Sequence, residues 1–147
     1  MDKFEDDCLK ERTTKHIGAI AITNETEKNR RVILLKSNSD YFMQGSEEHL
    51  KTKTPNIVFI TGFYAMEHIA NALIAKHGYN VKDHKCTEIF LSKLGYKGLA
   101  QKLSNAQIQR LNHYNMNLEE KDNKRADDFF KHDVKPFVEK INKLIKD

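Results

Sequence analysis

Apolar residues recur along most of this chain at intervals of three and four, the spacing of one helix face, and short polar breaks divide the pattern into segments. The first segment opens at Asn24, a capping residue, and Glu27 three positions on completes a capping-box pattern. Val32, Leu35, Ser39, Phe42 and Met43 keep helical spacing to about Leu50, and Lys51-Thr52-Lys53 is the break. The second segment takes Thr54 as its cap and Pro55 as its first helical residue, then runs to about His77, where Gly78 stops it. Phe59, Phe63, Met66, Ala70, Leu73 and Ile74 fall on one broad face, with Val58 and Ile69 on its flank. Coverage that wide predicts the central helix of a bundle.

A loop, GYNVKD, leads to a third helix capped by Asp83 and running to about Leu94, with Ile89, Phe90 and Leu94 as its apolar stripe. Gly95 and Gly98 then break the pattern. A fourth helix is read from Ser104, with Gln107 completing a second capping box, to about Asn115. The fifth spans about Leu118 to Lys146, with Phe129, Phe130, Phe137, Ile141, Leu144 and Ile145 facing inward. Pro136 must kink or split it. The fold class is therefore all-α, an up-and-down bundle of four to five helices over residues 24–147. Residues 1–23 stand apart as a short N-terminal appendage. Met1 to Lys15 is charged, and His16 to Thr23 (HIGAIAIT) is apolar. Periodicity leaves that run open between a strand, a helical turn and an arm on a partner.

Composition narrows the function classes. A chain of 147 residues with 39% apolar and 31% charged positions suits one domain with its own core, and is neither disordered nor membrane-like. The apolar stretch Ile57 to Ala75 is broken by Thr61, Glu67, His68 and Asn71, so no membrane span is expected. The start MDKFEDD is acidic where a secretory signal is basic. Cys8 and Cys86 read as free thiols of a cytoplasmic protein rather than a disulfide framework. Lys and Arg number 25 against 21 Asp and Glu, and the resulting charge of +4 permits nucleic-acid contact without demanding it. There is no Gly-rich phosphate loop, no GxSxG and no HExxH, and the histidines show no metal-ligand spacing with the cysteines. Neither a cofactor nor a metal is expected.

Several polar groups carry candidate chemistry. Tyr64, Glu67, His68 and Asn71 fall within about 100° of arc on the second helix, with Thr61 at the edge. Such groups on a buried helix must pair or meet solvent. A ligand groove, a polar seam at a dimer interface, a solvated strip and an internal hydrogen-bond network all fit. His84 and Lys85 open the third helix, where free N–H groups suit a phosphate, although Asp83 alone explains the helix start. Arg110, His113 and Tyr114 lie within one turn near the end of the fourth helix. An Arg to hold a phosphate and a His to move a proton would serve metal-free RNA cleavage; a solvated helix end is the plainer account. Arg125 and His132 share a face of the last helix, and an ion-pair network through Asp128 explains them.

The run Phe63-Tyr64-Ala65-Met66-Glu67-His68-Ile69-Ala70-Asn71-Ala72-Leu73 resembles the "YYAMFHAARALL"-type helix of HEPN domains (higher eukaryotes and prokaryotes nucleotide-binding). Gly78-Tyr79 followed by Lys82-Asp83-His84-Lys85 is similar to the family's "GY…K-T-H-K" junction between helices, and Arg110 to Tyr114 (RLNHY) sits where many members have an Arg and then an Asp-Tyr or His. The resemblance covers about residues 25–146. It implies a bundle of four or five helices, commonly a homodimer. Many members are metal-independent RNases, often toxins paired with a nucleotidyltransferase antitoxin, whose site is an Arg, four to six residues, then a His. Arg110 and His113 are separated by only two residues, whereas Arg125 and His132 have six between them. The resemblance therefore leans toward members without the catalytic motif, which bind a nucleotide or RNA as accessories. The polar strip on the second helix suggests where such a ligand is expected, in a cleft near Glu67, His68, Asn71, Arg110 and His113, with Tyr64, His84, Lys85 and Tyr114 as further ligand-binding candidates, and a ribonuclease using Arg110 and His113 is the alternative. A non-catalytic protein-interaction bundle is the third reading. In some toxins a Tyr just after the His is modified, and Tyr114 is the corresponding position.

Overall fold

A computed structural model of the chain describes Cys8 and residues 19–81, 83–113 and 120–146. The element order is β1 (Ala19–Ala21), α1 (Glu25–Lys51), α2 (Pro55–Lys76), β2 (Tyr79–Val81), α3 (His84–Lys93), α4 (Lys97–Asn112), α5 (Glu120–Asp128), a π-helical segment (Phe129–Val134) and α6 (Lys135–Lys146). The all-α reading holds, with one small two-stranded ribbon added.

Helix α2 is the hub, in contact with every other helix. Val58, Phe59, Phe63, Met66, Ile69, Ala70, Leu73 and Ile74 are all buried, as their spacing predicts. By length and composition α2 would also cross a membrane, but 61% of its most apolar window is buried inside the fold, which accounts for its hydrophobicity. Helix α1 packs tightly against it through small residues. Ser39 and Ser46 are fully buried, and their hydroxyls donate to the Ala65 carbonyl at 2.7 Å and the Val58 carbonyl at 3.2 Å, so neither carries an unmet polar group. Gly62 lets the π-helical segment approach α2 as closely on another side, since a Cβ there would lie 2.9 Å from both Phe129 and Val134. At the far end Lys76 Nζ donates to the carbonyls of Leu144 and Ile145, closing the C-terminal turn of α6.

Helix starts follow the sequence in two cases and depart from it in two. Asn24 Oδ1 accepts from Glu27 N at 3.0 Å, and Asp83 Oδ1 accepts from Lys85 N at 2.8 Å. Thr54 occupies its cap position but makes no capping bond; its hydroxyl turns back to the His49 carbonyl and ring. Ser104 is not a cap at all. Helix α4 begins at Lys97, immediately after Gly95 turns the chain at φ +98°, and Ser104 lies mid-helix. Gly98 is tolerated because it falls in the first turn, where few intrahelical bonds depend on it.

The GYNVKD segment is not a plain loop. Its Tyr79–Val81 pairs antiparallel with Ala19–Ala21 in the register Ala19↔Val81, and Gly78, at φ +93°, makes the turn that allows it. The apolar HIGAIAIT run thus contributes a strand. Cys8 and Cys86 are joined in a disulfide, which corrects the free-thiol expectation. Both are fully buried, and nothing in their 78-residue separation signals that they meet. Pro136 acts one turn ahead of itself. Because proline lacks an N–H and crowds the carbonyl four residues back, the helix widens over Phe129–Val134, and Lys135 N bonds Phe130 O, five residues back.

Candidate functional site

The polar strip of α2 meets α3 and α4 rather than bulk water. Arg110, in the last turn of α4, donates from Nη1 to the Tyr64 hydroxyl at 3.3 Å. Its guanidinium also lies 4.9 Å from the Phe63 ring centroid and 5.6 Å from that of Tyr64, within cation–π range. Asn71 Oδ1 accepts from the Thr87 hydroxyl of α3 at 2.9 Å. His68 turns away from this seam. Its Nδ1 donates to the Tyr64 carbonyl at 2.7 Å and its ring packs 5.1 Å from Phe42 of α1. Thr61 bonds the Ile57 carbonyl of its own helix.

Glu67 is the strained member of the seam. Burial pushes its carboxyl up to about 7; the Arg110 charge pulls it down, while Asp83 and Glu88 push it further up. Glu88 is likewise raised, by burial first, against the pull of Lys85 and a hydrogen bond from Ser104. Glu67 Oε2, Gln107 Oε1 and Arg110 Nε are all buried without a protein partner. At the start of α3, His84 and Lys85 are exposed, and Asp83 already occupies the Lys85 N–H. The N–H groups read as a phosphate seat are thus partly spoken for by the helix cap.

His113 caps α4 and takes a different direction from Arg110. Its ring stacks on Phe59 at 4.2 Å and 6°, and Nδ1 lies 2.8 Å from the Gln109 carbonyl. A carbonyl only accepts, so Nδ1 carries the proton, and in the neutral ring Nε2 keeps its lone pair. Because Arg110 meets Phe63 and His113 meets Phe59, four residues earlier, α4 runs antiparallel along α2. Tyr114 lies outside the described residues.

His113 opens onto a cavity of about 390 Å³ between the end of α4 and the α5–π segment. Arg125 and His132 line it with His113, over a floor that includes Phe129. Gln109 and Asp133 form another wall, joined by Gln109 Nε2 donating to Asp133 Oδ2 at 3.3 Å. Burial raises the Asp133 carboxyl; His132, Gln109 and Lys102 oppose that shift. Arg125 is braced by buried Asp122 at 3.2 Å, and its side chain is still 58% exposed, so it remains open to a ligand. The fold thus gathers one guanidinium and two imidazoles at one cavity. Arg110 does not line it, so Arg110 and His113, paired in the sequence reading, serve different neighbours.

A HEPN domain model matches residues 32–147. The chain belongs to the HEPN family. No curated protein and no solved structure matches it. Within the HEPN domain, Arg125 and His132 are the residues that sequence reasoning passed over as an ion-pair network. The available signal was their six-residue spacing, which falls within the four-to-six window the resemblance implied for an Arg–His pair. What hid it was position, since the pair sits inside one continuous helical run.

Proposed function

We propose that this HEPN domain binds RNA by its phosphodiester groups in the cavity bounded by His113, Arg125 and His132. The observation that carries the reading is the presence of Arg125 and two imidazoles on one open cavity. An exposed Arg offers a forked donor set matched to phosphate oxygens, and imidazoles add N–H donors beside it. Fluorescence anisotropy of a short single-stranded RNA with the purified protein tests the site. Arg125→Ala and His132→Ala are expected to weaken binding about tenfold or more each, the loss of a charge-assisted contact. Unchanged affinity in both variants would remove the site.

A metal-independent ribonuclease is the second reading, favoured by the pair of histidines in one cavity. One imidazole can take the proton of an attacking hydroxyl while the other delivers a proton to the leaving oxygen, and Arg125 offsets charge on the phosphorus centre. Incubation with RNA in EDTA checks this, with cleavage expected to be lost in both His113→Ala and His132→Ala.

A further inference from the structure

The cavity of His113, Arg125 and His132 stands at one end of a longer line of positions, with α4 on one bank and the π segment and α6 on the other. The two banks run antiparallel. His113 and Phe129 both stack on Phe59; four residues back on α4 and four forward on the other bank, Gln109 donates to Asp133. The helical repeat carries this pairing further. Lys102 stands seven residues before Gln109, and Lys140 seven residues after Asp133. Each therefore lies about two turns, roughly 10 Å, beyond that bond on its own bank. His132, Pro136, Lys140 and Lys143 follow one another at spacings of four, four and three, so they share one face. Lys102 is turned toward this bank, because its charge reaches Asp133 and opposes the rise of that carboxyl. Close packing joins α4 to α2 and α3 but not to α6, so the two banks border a groove rather than a sealed seam.

Lys102, Lys140 and Lys143 are exposed, and none forms an ion pair with an acid among the described residues. Lys131, on another face, is engaged by Asp127 at 3.0 Å. The acids beside the line are Asp128 and Asp133 at the cavity and Glu139 on α6. Gln109 donates to Asp133, and Glu139, one residue before Lys140, points about 100° away around the helix. The apolar side of α6 is already covered, since Phe137, Val138 and Ile141 are buried in the core. That leaves α6 no hydrophobic face to lay on a lipid surface. A row of unpaired cations leading away from a phosphate seat fits a single polyanionic strand.

We propose that a single RNA strand held at the cavity continues along this groove, its following phosphates met by Lys102 and Lys140 and then by Lys143. The inference rests on the RNA-binding reading of the cavity and adds the extent and direction of the strand. A stacked strand advances about 3.4 Å per nucleotide, so the roughly 10 Å from the Gln109–Asp133 bond to the two lysines holds about three nucleotides. The preferred ligand is thus an oligonucleotide rather than a mono- or dinucleotide.

Calorimetric titration of the full-length chain with the uridine dinucleotide UpU and with a uridine decanucleotide tests the groove. Lys102→Gln/Lys140→Gln is expected to weaken the decanucleotide about tenfold or more and to leave UpU unchanged. Its salt dependence should flatten by about 1.4 in the log–log slope, the share of two phosphate contacts on a single strand. Lys53→Gln/Lys93→Gln removes the same charge away from the groove and should change decanucleotide affinity less than twofold. Arg125→Ala should weaken both RNAs, which separates the cavity from the groove; both unchanged in that variant would remove the cavity reading and this proposal with it. Decanucleotide affinity retained in the Lys102/Lys140 variant, an equal loss for UpU, or an equal loss in the Lys53/Lys93 control would each overturn the groove alone. Sedimentation with phosphatidylserine vesicles that disappears in the Lys102/Lys140 variant while decanucleotide binding persists would overturn it in favour of a lipid surface.

Discussion

Arg110 and Tyr64 tie the fourth helix to the second: the guanidinium donates to the phenol oxygen at 3.3 Å while lying over the neighbouring Phe63 ring. The contact does three things. It satisfies a polar group on the most buried helix, places a cation against two aromatic faces, and gives Glu67 its nearest opposing charge. Arg110→Ala removes all three and is expected to cost about 2–3 kcal/mol in denaturant unfolding. Tyr64→Phe removes only the hydroxyl partner and should cost about 1 kcal/mol. Equal costs for the two variants would mean that the hydrogen bond, not the charge, dominates.

Glu67 makes stability depend on pH in an unusual direction for a carboxylate. Its folded value of about 7 lies above the ordinary 4.5, so the folded state binds the proton more tightly than the unfolded chain. The contribution is complete below about pH 4.5 and is lost as pH rises toward 7, with a ceiling of about 3 kcal/mol. Glu88 and Asp133, also raised, act in the same sense. Glu67→Gln isolates the one group. Unfolding curves at pH 5 and pH 8 should show a smaller loss of stability in the variant than in the wild type. A wild-type slope retained in full by the variant would assign the effect to the other two carboxyls.

The Cys8–Cys86 disulfide spans 78 residues and joins the N-terminal segment to the first turns of α3. Chain-entropy reasoning assigns a closure of that length about 4–5 kcal/mol at 25 °C, acting on the unfolded state. Reduction, or Cys86→Ser, should therefore lower the denaturant midpoint strongly, with both treatments giving the same curve. Alkylation of the unreduced protein under denaturing conditions should label neither cysteine.

These residues also mark what the sequence makes legible. The hub helix is readable because Phe59, Phe63, Met66, Ala70 and Leu73 carry one period over about four turns, and burial simply follows period. Asn24 and Asp83 were readable because a cap is a local device. Ser104 misled for the same reason: a capping box needs only four residues, and tertiary contact put that Ser beside Glu88 on a helix already begun at Lys97. The Cys8–Cys86 bond, the β1–β2 pairing and the meeting of His113 on α4 with the Arg125–His132 pair all join positions on separate elements. No local pattern encodes such contacts. For Arg110 and His113, sequence spacing put both on one turn, and only the three-dimensional fold shows which neighbour each one meets.

Gly62 couples the packing of α2 against the π segment to the proposed RNA site. A methyl group added there would fall 2.9 Å from Phe129 Cε2 and 2.9 Å from Val134 Cγ2, the two ends of the π segment, and 3.5 Å from Ser46 Oγ. Phe129 is fully buried and stacked on Phe59 at 4.9 Å, so it has little room to yield. Val134 is equally enclosed. Gly62→Ala should therefore cost about 1–3 kcal/mol through overpacking, against the small gain that Ala normally brings to a helix interior. The strain is relieved most readily by moving the π segment, because its widened turn is the least regular part of the bundle. His132 and Phe129 travel with that segment, whereas His113 is held from α4 by Phe59 and the Gln109 carbonyl. RNA affinity in Gly62→Ala should accordingly fall with stability even though Gly62 lines no part of the cavity. Paired unfolding and anisotropy measurements on this one variant check both, and a fully stable Gly62→Ala protein would refute the close approach itself.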